Sequence, residues 1–152
     1  MGILVDCLDR QFAELHRRSR EIIGSAPFDL LYHKPGEAHL LSGGEHVLRS
    51  AAVVEQTFGG ITTNLWDDPF EWTLPETLSD TNQIRAYLDE VETTRQRGFQ
   101  FFKSDDDLLK EIMTPSGQTL LLSLLLDTLV QAVHHQSVAQ TIFLSFKTVR
   151  DK

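Results

Sequence analysis

The sequence predicts an all-α fold, a four-helix bundle of the up-down type with a long ordered loop after the second helix. Three observations carry that expectation. Apolar residues recur at steps of three and four along most of the chain. Two of the periodic stretches open on residue pairs that cap helix N-termini, and the glycines and prolines fall largely between the stretches rather than inside them. The 152 residues suit one domain, residues 1–152, large enough to bury about two-thirds of the surface that the unfolded chain exposes.

The first helix is expected from Val5 to Ile23, where Val5, Leu8, Phe12, Leu15 and Ile22 share a stripe broken only by Ser19, and Gly24 stops it. Ser25 to Leu41 contains Pro27, Pro35 and Gly36 and reads as a loop with one helical turn around Phe28 to Tyr32. Ser42 followed by Glu45 forms a capping box that opens the second helix, whose apolar residues Val47, Leu48, Ala51, Val54 and Phe58 keep helical spacing as far as Gly59 and Gly60. Beyond Thr63 the periodicity dissolves into Trp66, Asp67, Asp68, Pro69, Phe70 and Trp72. Rings of that size are costly in water, so this loop is expected to fold back over the bundle and line a pocket wall.

Asp80 with Gln83 opens the third helix, which turns Ile84, Tyr87, Leu88, Val91, Phe99 and Phe102 inward and Asp89, Thr93, Gln96 and Arg97 outward. Arg95 falls almost on the apolar stripe, so it either snorkels its charge to the bundle's edge, the preferred expectation, or pairs with a carboxylate from another helix. Ser104 to Asp107 reads as a helix start, because the alternating oxygens and glycine turn of a calcium loop are missing. Leu108 to Thr114 suits helix or strand, and Pro115 and Gly117 mark a turn. The fourth helix is expected from about Gln118 to Lys147, with Leu121, Leu124, Leu125, Val130, Val133, Val138, Ile142 and Phe146 facing the centre.

The formal net charge of -8 repels phosphate backbones and argues against a nucleic-acid partner. Arg17, Arg18 and Arg20 fit a solvated face of the first helix. The most apolar stretch, Leu120 to Leu126, is interrupted by Ser123 and too short to span a membrane. The single cysteine, Cys7, is expected to be a small buried hydrophobe. With no basic, apolar leader at the N-terminus, the expected location is the cytoplasm. Gly43-Gly44 and Gly59-Gly60 lack the lysine or preceding strand of a phosphate-cradling loop, so no nucleotide cofactor is expected.

Chemistry points to the histidines. His134 and His135 stand in the middle of the most apolar helix, and His46 sits in the first turn of the second helix; His16, His33 and His39 complete the set. Imidazoles inside a bundle are satisfied either by a divalent metal held between facing helices or by hydrogen bonds to a neighbouring helix, and the local pattern leaves both open. Adjacent histidines point about 100° apart. Neither helix carries His at i and i+4, because Ser50 lies one turn from His46 and Gln131 one turn from His135. Glu55 suits a solvated carboxylate, or one that orients a histidine.

The run Ser42-Gly-Gly-Glu-His-Val-Leu-Arg-Ser-Ala-Ala-Val-Val-Glu and the run Leu129-Val-Gln-Ala-Val-His-His-Gln-Ser-Val-Ala-Gln resemble the DinB/YfiT-like superfamily, and length, helix order and the loop after the second helix extend the resemblance over nearly the whole chain. It implies a four-helix bundle in which one histidine of the second helix and two of the last hold nickel, zinc or manganese. The implied activity is a divalent-metal-dependent hydrolase or a thiol-dependent transferase acting on a small molecule, often as a homodimer. Carried over, His46 or the position of Arg49 matches the helix-two ligand, His135 and Gln131 match the pair one turn apart, and His134 is a substitute, which gives His46, His134 and His135 as the metal set. Arg49 cannot ligate a cation and Gln131 is a poor ligand. These departures favour the other expectation, a small-molecule-binding or protein-interaction bundle with a degenerate metal site.

Overall fold

The computed structural model describes residues 2–37, 40–69 and 73–150. The chain is mostly helical. Four long helices, α1 (Ile3–Ser25), α2 (Gly43–Thr63), α3 (Thr81–Phe99) and α5 (Leu121–Arg150), are joined by a 3-10 turn at Phe28–Leu30, a single-turn helix α4 (Asp105–Leu108) and an antiparallel hairpin of β1 (Glu111–Thr114) and β2 (Gly117–Leu120). No helix among the described residues is long and apolar enough to cross a membrane.

Local chemistry sets the helix ends. At α2 the Ser42 hydroxyl accepts from the Glu45 N–H at 3.2 Å, while the Glu45 carboxylate accepts from the Ser42 N–H at 3.2 Å and hydroxyl at 2.9 Å. Asp80 and Gln83 exchange the same two bonds at α3, at 2.8 and 3.3 Å. The Asp107 carboxylate takes the N–H groups of Lys103 and Ser104 at 2.7 and 3.2 Å, so the run of aspartates is a helix start, as expected. Helix α2 runs through both glycines to Thr63. It ends on Asn64 in the left-handed region (φ 58°), whose N–H reaches back to the carbonyls of Gly59 and Gly60.

The expected start of the last helix at Gln118 is corrected by the hairpin. Gly117 takes φ +113°, a conformation open to glycine, and turns the chain so that Ile112 pairs with Thr119 and Glu111 with Leu120. Gln118 to Leu120 thus satisfy their backbones across strands, and α5 begins at Leu121.

Buried apolar side chains from all four long helices form one cluster. At its centre the rings of Phe12, Phe58 and Phe99 meet with centroids 5.4 to 5.7 Å apart. Helix α5 packs chiefly on α2, and α3 packs on both α1 and α2. Polar rungs cross the α2–α5 seam: Ser50 Oγ donates to the Ala132 carbonyl at 2.7 Å, and the Thr57 and Thr128 hydroxyls lie 2.7 Å apart. Thr128 gives its own proton to the Leu124 carbonyl at 2.8 Å, so Thr57 is the donor. The rungs descend α5 as they climb α2, so the two helices are antiparallel. Ser19, the break in the α1 stripe, is buried where Gln136 Nε2 donates to its hydroxyl at 2.9 Å and to the Leu15 carbonyl at 2.7 Å, tying α1 to α5.

Four side chains differ from expectation. Arg95 does not snorkel: it is 1% exposed, paired with Asp9 of α1 and Glu92 of α3, with its guanidinium 5.1 Å from the Phe99 ring centre. Two carboxylates and an aromatic face replace the water that the charge gives up. Val130 and Val133 do not face the centre but are 70% and 42% exposed; the buried line of α5 runs through Leu125, Thr128, Ala132, Gln136, Ala139 and Phe143. Cys7 is exposed, with Arg10 donating to its sulfur at 3.6 Å. The expected pocket wall of Phe70 and Trp72 lies outside the described residues, as does His39; Trp66 packs its ring on Gly60, where any Cβ would collide with it at 2.2 Å.

Candidate functional site

The α2–α5 seam opens at the N-terminal end of α2. Small residues bring the helices close there: Gly43 faces the Phe143 ring, and Gly44 lies under Tyr32 while its N–H donates to the Leu31 carbonyl at 2.8 Å. One turn in, His46 reaches across to His135, and their Nδ1 atoms stand 3.1 Å apart with ring centroids at 5.3 Å. Both rings are half-buried. Between neutral imidazoles at this distance, one Nδ1 carries the proton and the other presents its lone pair. The outer nitrogens of the pair are therefore one acceptor and one N–H donor.

Burial holds both rings below the ordinary histidine range. For His46 the charge of His134 adds to that effect, Glu45 opposes it and Arg49 contributes further lowering. For His135 burial is followed by the charges of His46, His134 and Arg49. Both shifts favour the neutral form at neutral pH, the form that metal ligation and general-base chemistry require.

The structure brings two of the three candidate histidines into direct contact and sets the third beside them. His134 follows the helix round to solvent: its ring is exposed and its centroid is 5.6 Å from that of His135. Gln131 is exposed one turn earlier. Glu55 serves no histidine; its Oε2 accepts from the Tyr87 hydroxyl at 2.5 Å, a bond between α2 and α3. Burial, then this carboxylate, push the Tyr87 hydroxyl well above its usual range. Among the described residues, no three His, Cys, Asp or Glu side chains form a group that could hold a metal ion.

Sequence reasoning treated Arg49 only as a failed ligand. In the structure it lies one turn after His46, 30% exposed, with Nη1 3.9 Å from Asp68 Oδ2 on the loop after α2. The sequence signal was its spacing, since residues three apart on a helix are neighbours. The polar rungs at Ser50, Thr57, Thr128 and Gln136 were also missed, although small polar residues at core spacing on facing helices mark such contacts.

No protein-family model matches the chain, and neither a curated protein nor a solved structure matches it.

Proposed function

We propose that the four long helices form an up-down bundle of the DinB-like type, and that His46 and His135 are the paired ligands of a divalent-metal site between α2 and α5. The activity we assign is a hydrolase or thiol-dependent transferase acting on a small molecule. The observation that carries this reading is the 3.1 Å between the two Nδ1 atoms. Nitrogens about 2.0–2.1 Å from one zinc ion, with roughly 90–110° between them, stand about 2.8–3.4 Å apart. Both imidazoles are held towards the neutral form by burial, so a cation taken between the two Nδ1 atoms requires only that the proton shared there move to the outer nitrogen of its ring. His134, exposed beside His135, is the third candidate ligand, and the remaining positions would be left to solvent or substrate. A bound ion supplies one thing, a lowered pKa for a coordinated water or thiol. The exposed apolar side chains Leu126, Val130, Val133 and Leu144 along α5 support a homodimer as the assembly.

A zinc titration followed by thermal unfolding tests the site. At a free zinc concentration one hundred times Kd the folded state gains about 2.7 kcal/mol, worth roughly 5–10 °C for a chain of this size. His46→Ala and His135→Ala should each abolish the shift and His134→Ala should reduce it. A shift that survives both single changes contradicts the assignment.

Arg49 favours a second reading, a small-molecule-binding bundle that works without metal. Its guanidinium opposes positive charge at both imidazoles, as the lowered His46 and His135 values reflect.

A further inference from the structure

Beyond the point where Gln136 ties α1 to α5, a groove of about 460 Å³ separates the two helices, a size within the range of small-molecule sites. On α5 its lining follows one stripe, Gln136, Gln140, Phe143 and Lys147, at steps of four, three and four; on α1 it follows Arg18, Ile22 and Ser25. The floor is apolar, with Ile22 and Phe143 both buried. The ends are polar. Gln136 is 4% exposed and gives its Nε2 protons to the Leu15 carbonyl and the Ser19 hydroxyl. The Leu15 carbonyl can only accept, so the nitrogen faces α1 and the acceptor left over is Oε1. That oxygen takes no bond among the described residues. None of their buried side-chain oxygens or nitrogens lacks a partner, so Oε1 is open to the cleft between the helices, where Gln136 stands between this groove and a second one at Val130 and Val133. At the far end Lys147, eleven residues or about 16 Å further along α5, carries an exposed ammonium that pairs with no carboxylate among the described residues. The carboxylates on the rim are taken: Arg17 and Arg18 hold Glu14, and Arg17 also holds Glu21.

We propose that this groove is a second ligand site, for an aliphatic carboxylate of medium length that carries a hydroxyl at its other end. The hydroxyl donates to Gln136 Oε1, the alkyl chain lies over Ile22 and Phe143, and the carboxylate pairs with Lys147. An acceptor with no proton to give selects a donor, which a plain fatty acid lacks, and an ammonium selects an anion. The site lies on the α1 side of α5, whereas the His46–His135 pair lies on its α2 side, so the inference is independent of the metal reading.

The test is a titration of the full-length protein with ω-hydroxydecanoate, decanoate and decanediol in turn, at neutral pH and constant ionic strength, following the backbone amide NMR signals. The hydroxy acid should give saturable shifts from Gln136 to Lys147 on α5 and from Arg18 to Ser25 on α1. Decanoate should bind about three- to tenfold more weakly, the worth of one neutral hydrogen bond. Decanediol should bind about two- to fivefold more weakly, the worth of an exposed ion pair. Lys147→Ala, a change at an exposed position, should bring the hydroxy acid down to the diol's affinity and leave the diol's own affinity unchanged. A merely apolar slot predicts equal affinity for decanoate and the hydroxy acid. That equality, unsaturable shifts, shifts confined to the Val130 side of Gln136, or an equal loss for the diol in Lys147→Ala overturns the proposal.

Discussion

Placing a methyl group at Gly43 tests the close approach on which the site depends. Gly43 is the first residue of α2, three before His46, and a Cβ built there would lie 2.6 Å from two carbons of the Phe143 ring and 3.0 Å from a third. Ordinary carbon contacts are about 3.5–4.0 Å. Phe143 is 5% exposed and packed in the core, so the ring must move or the helices must part. Alanine is worth up to about 1 kcal/mol over glycine in a helix interior, and less at a first position, whereas forcing extra volume into a packed core costs about 1–3 kcal/mol. The overpacking wins, and Gly43→Ala should destabilise by about 1–2 kcal/mol. In urea unfolding this lowers the midpoint by about 0.5–1 M with an unchanged slope, taking a slope near 2 kcal/mol/M. Gly36→Ala is the control: a Cβ there meets nothing within 4 Å and the backbone is not in the positive-φ region, so it should be neutral or stabilising by about 0.4–1 kcal/mol. Parting the helices also lengthens the His46–His135 contact, so Gly43→Ala should weaken zinc-induced stabilisation. If Gly43→Ala is as stable as the wild type and responds equally to zinc, Phe143 yields freely and the seam is not held by this contact.

Arg95→Ala removes a buried guanidinium and leaves Glu92 and Asp9 facing each other; Asp9 is half-exposed and rehydrates, so the expected loss is about 2–4 kcal/mol by chemical denaturation. A loss under about 0.5 kcal/mol would show that the pair contributes nothing. Thr57→Val keeps the shape of the α2–α5 seam and deletes its donor to Thr128, so it should cost about 1 kcal/mol, and a stabilised variant would refute the rung. Because His46 and His135 are held below the ordinary histidine range, chiefly by burial, the unfolded chain takes up protons near pH 6.5 before the folded one does. Stability present above that pH is therefore lost as pH falls from the unfolded value through the folded ones. In EDTA, His46→Ala/His135→Ala should lose less stability than the wild type between pH 7.5 and 5, and parallel pH profiles would refute the neutral pair.

What the sequence disclosed was whatever the chain determines locally. Ser42 with Glu45 and Asp80 with Gln83 sit three residues apart, so their exchange of bonds depends on almost nothing else, and both helix starts stand where they were expected. The hairpin was hidden because residues 111–114 and 117–120 are only four-residue strands, and Gln118 to Leu120 run without a break into the apolar helix that follows. Helix α5 is apolar nearly all round, so periodicity could not tell its buried line through Leu125, Ala132 and Ala139 from its exposed Val130 and Val133. Arg95 finds Asp9 across 86 residues, a pairing that needs the packing of α1 on α3. The candidate site divides in the same way. The apolar surroundings of the last helix singled out His134 and His135, and His46 joined them only through the resemblance carried by the two sequence runs. Only the antiparallel seam, with its glycines and polar rungs, sets His46 against His135 across 89 residues, turns His134 outward and adds Arg49.

Elemental analysis of protein purified without an affinity tag, beside His46→Ala/His135→Ala purified in parallel, tests the central claim most directly. The account predicts near-stoichiometric nickel, zinc or manganese in the wild type and its loss from the variant with the fold intact. Wild-type protein that carries no metal, even after incubation with these ions, would contradict it.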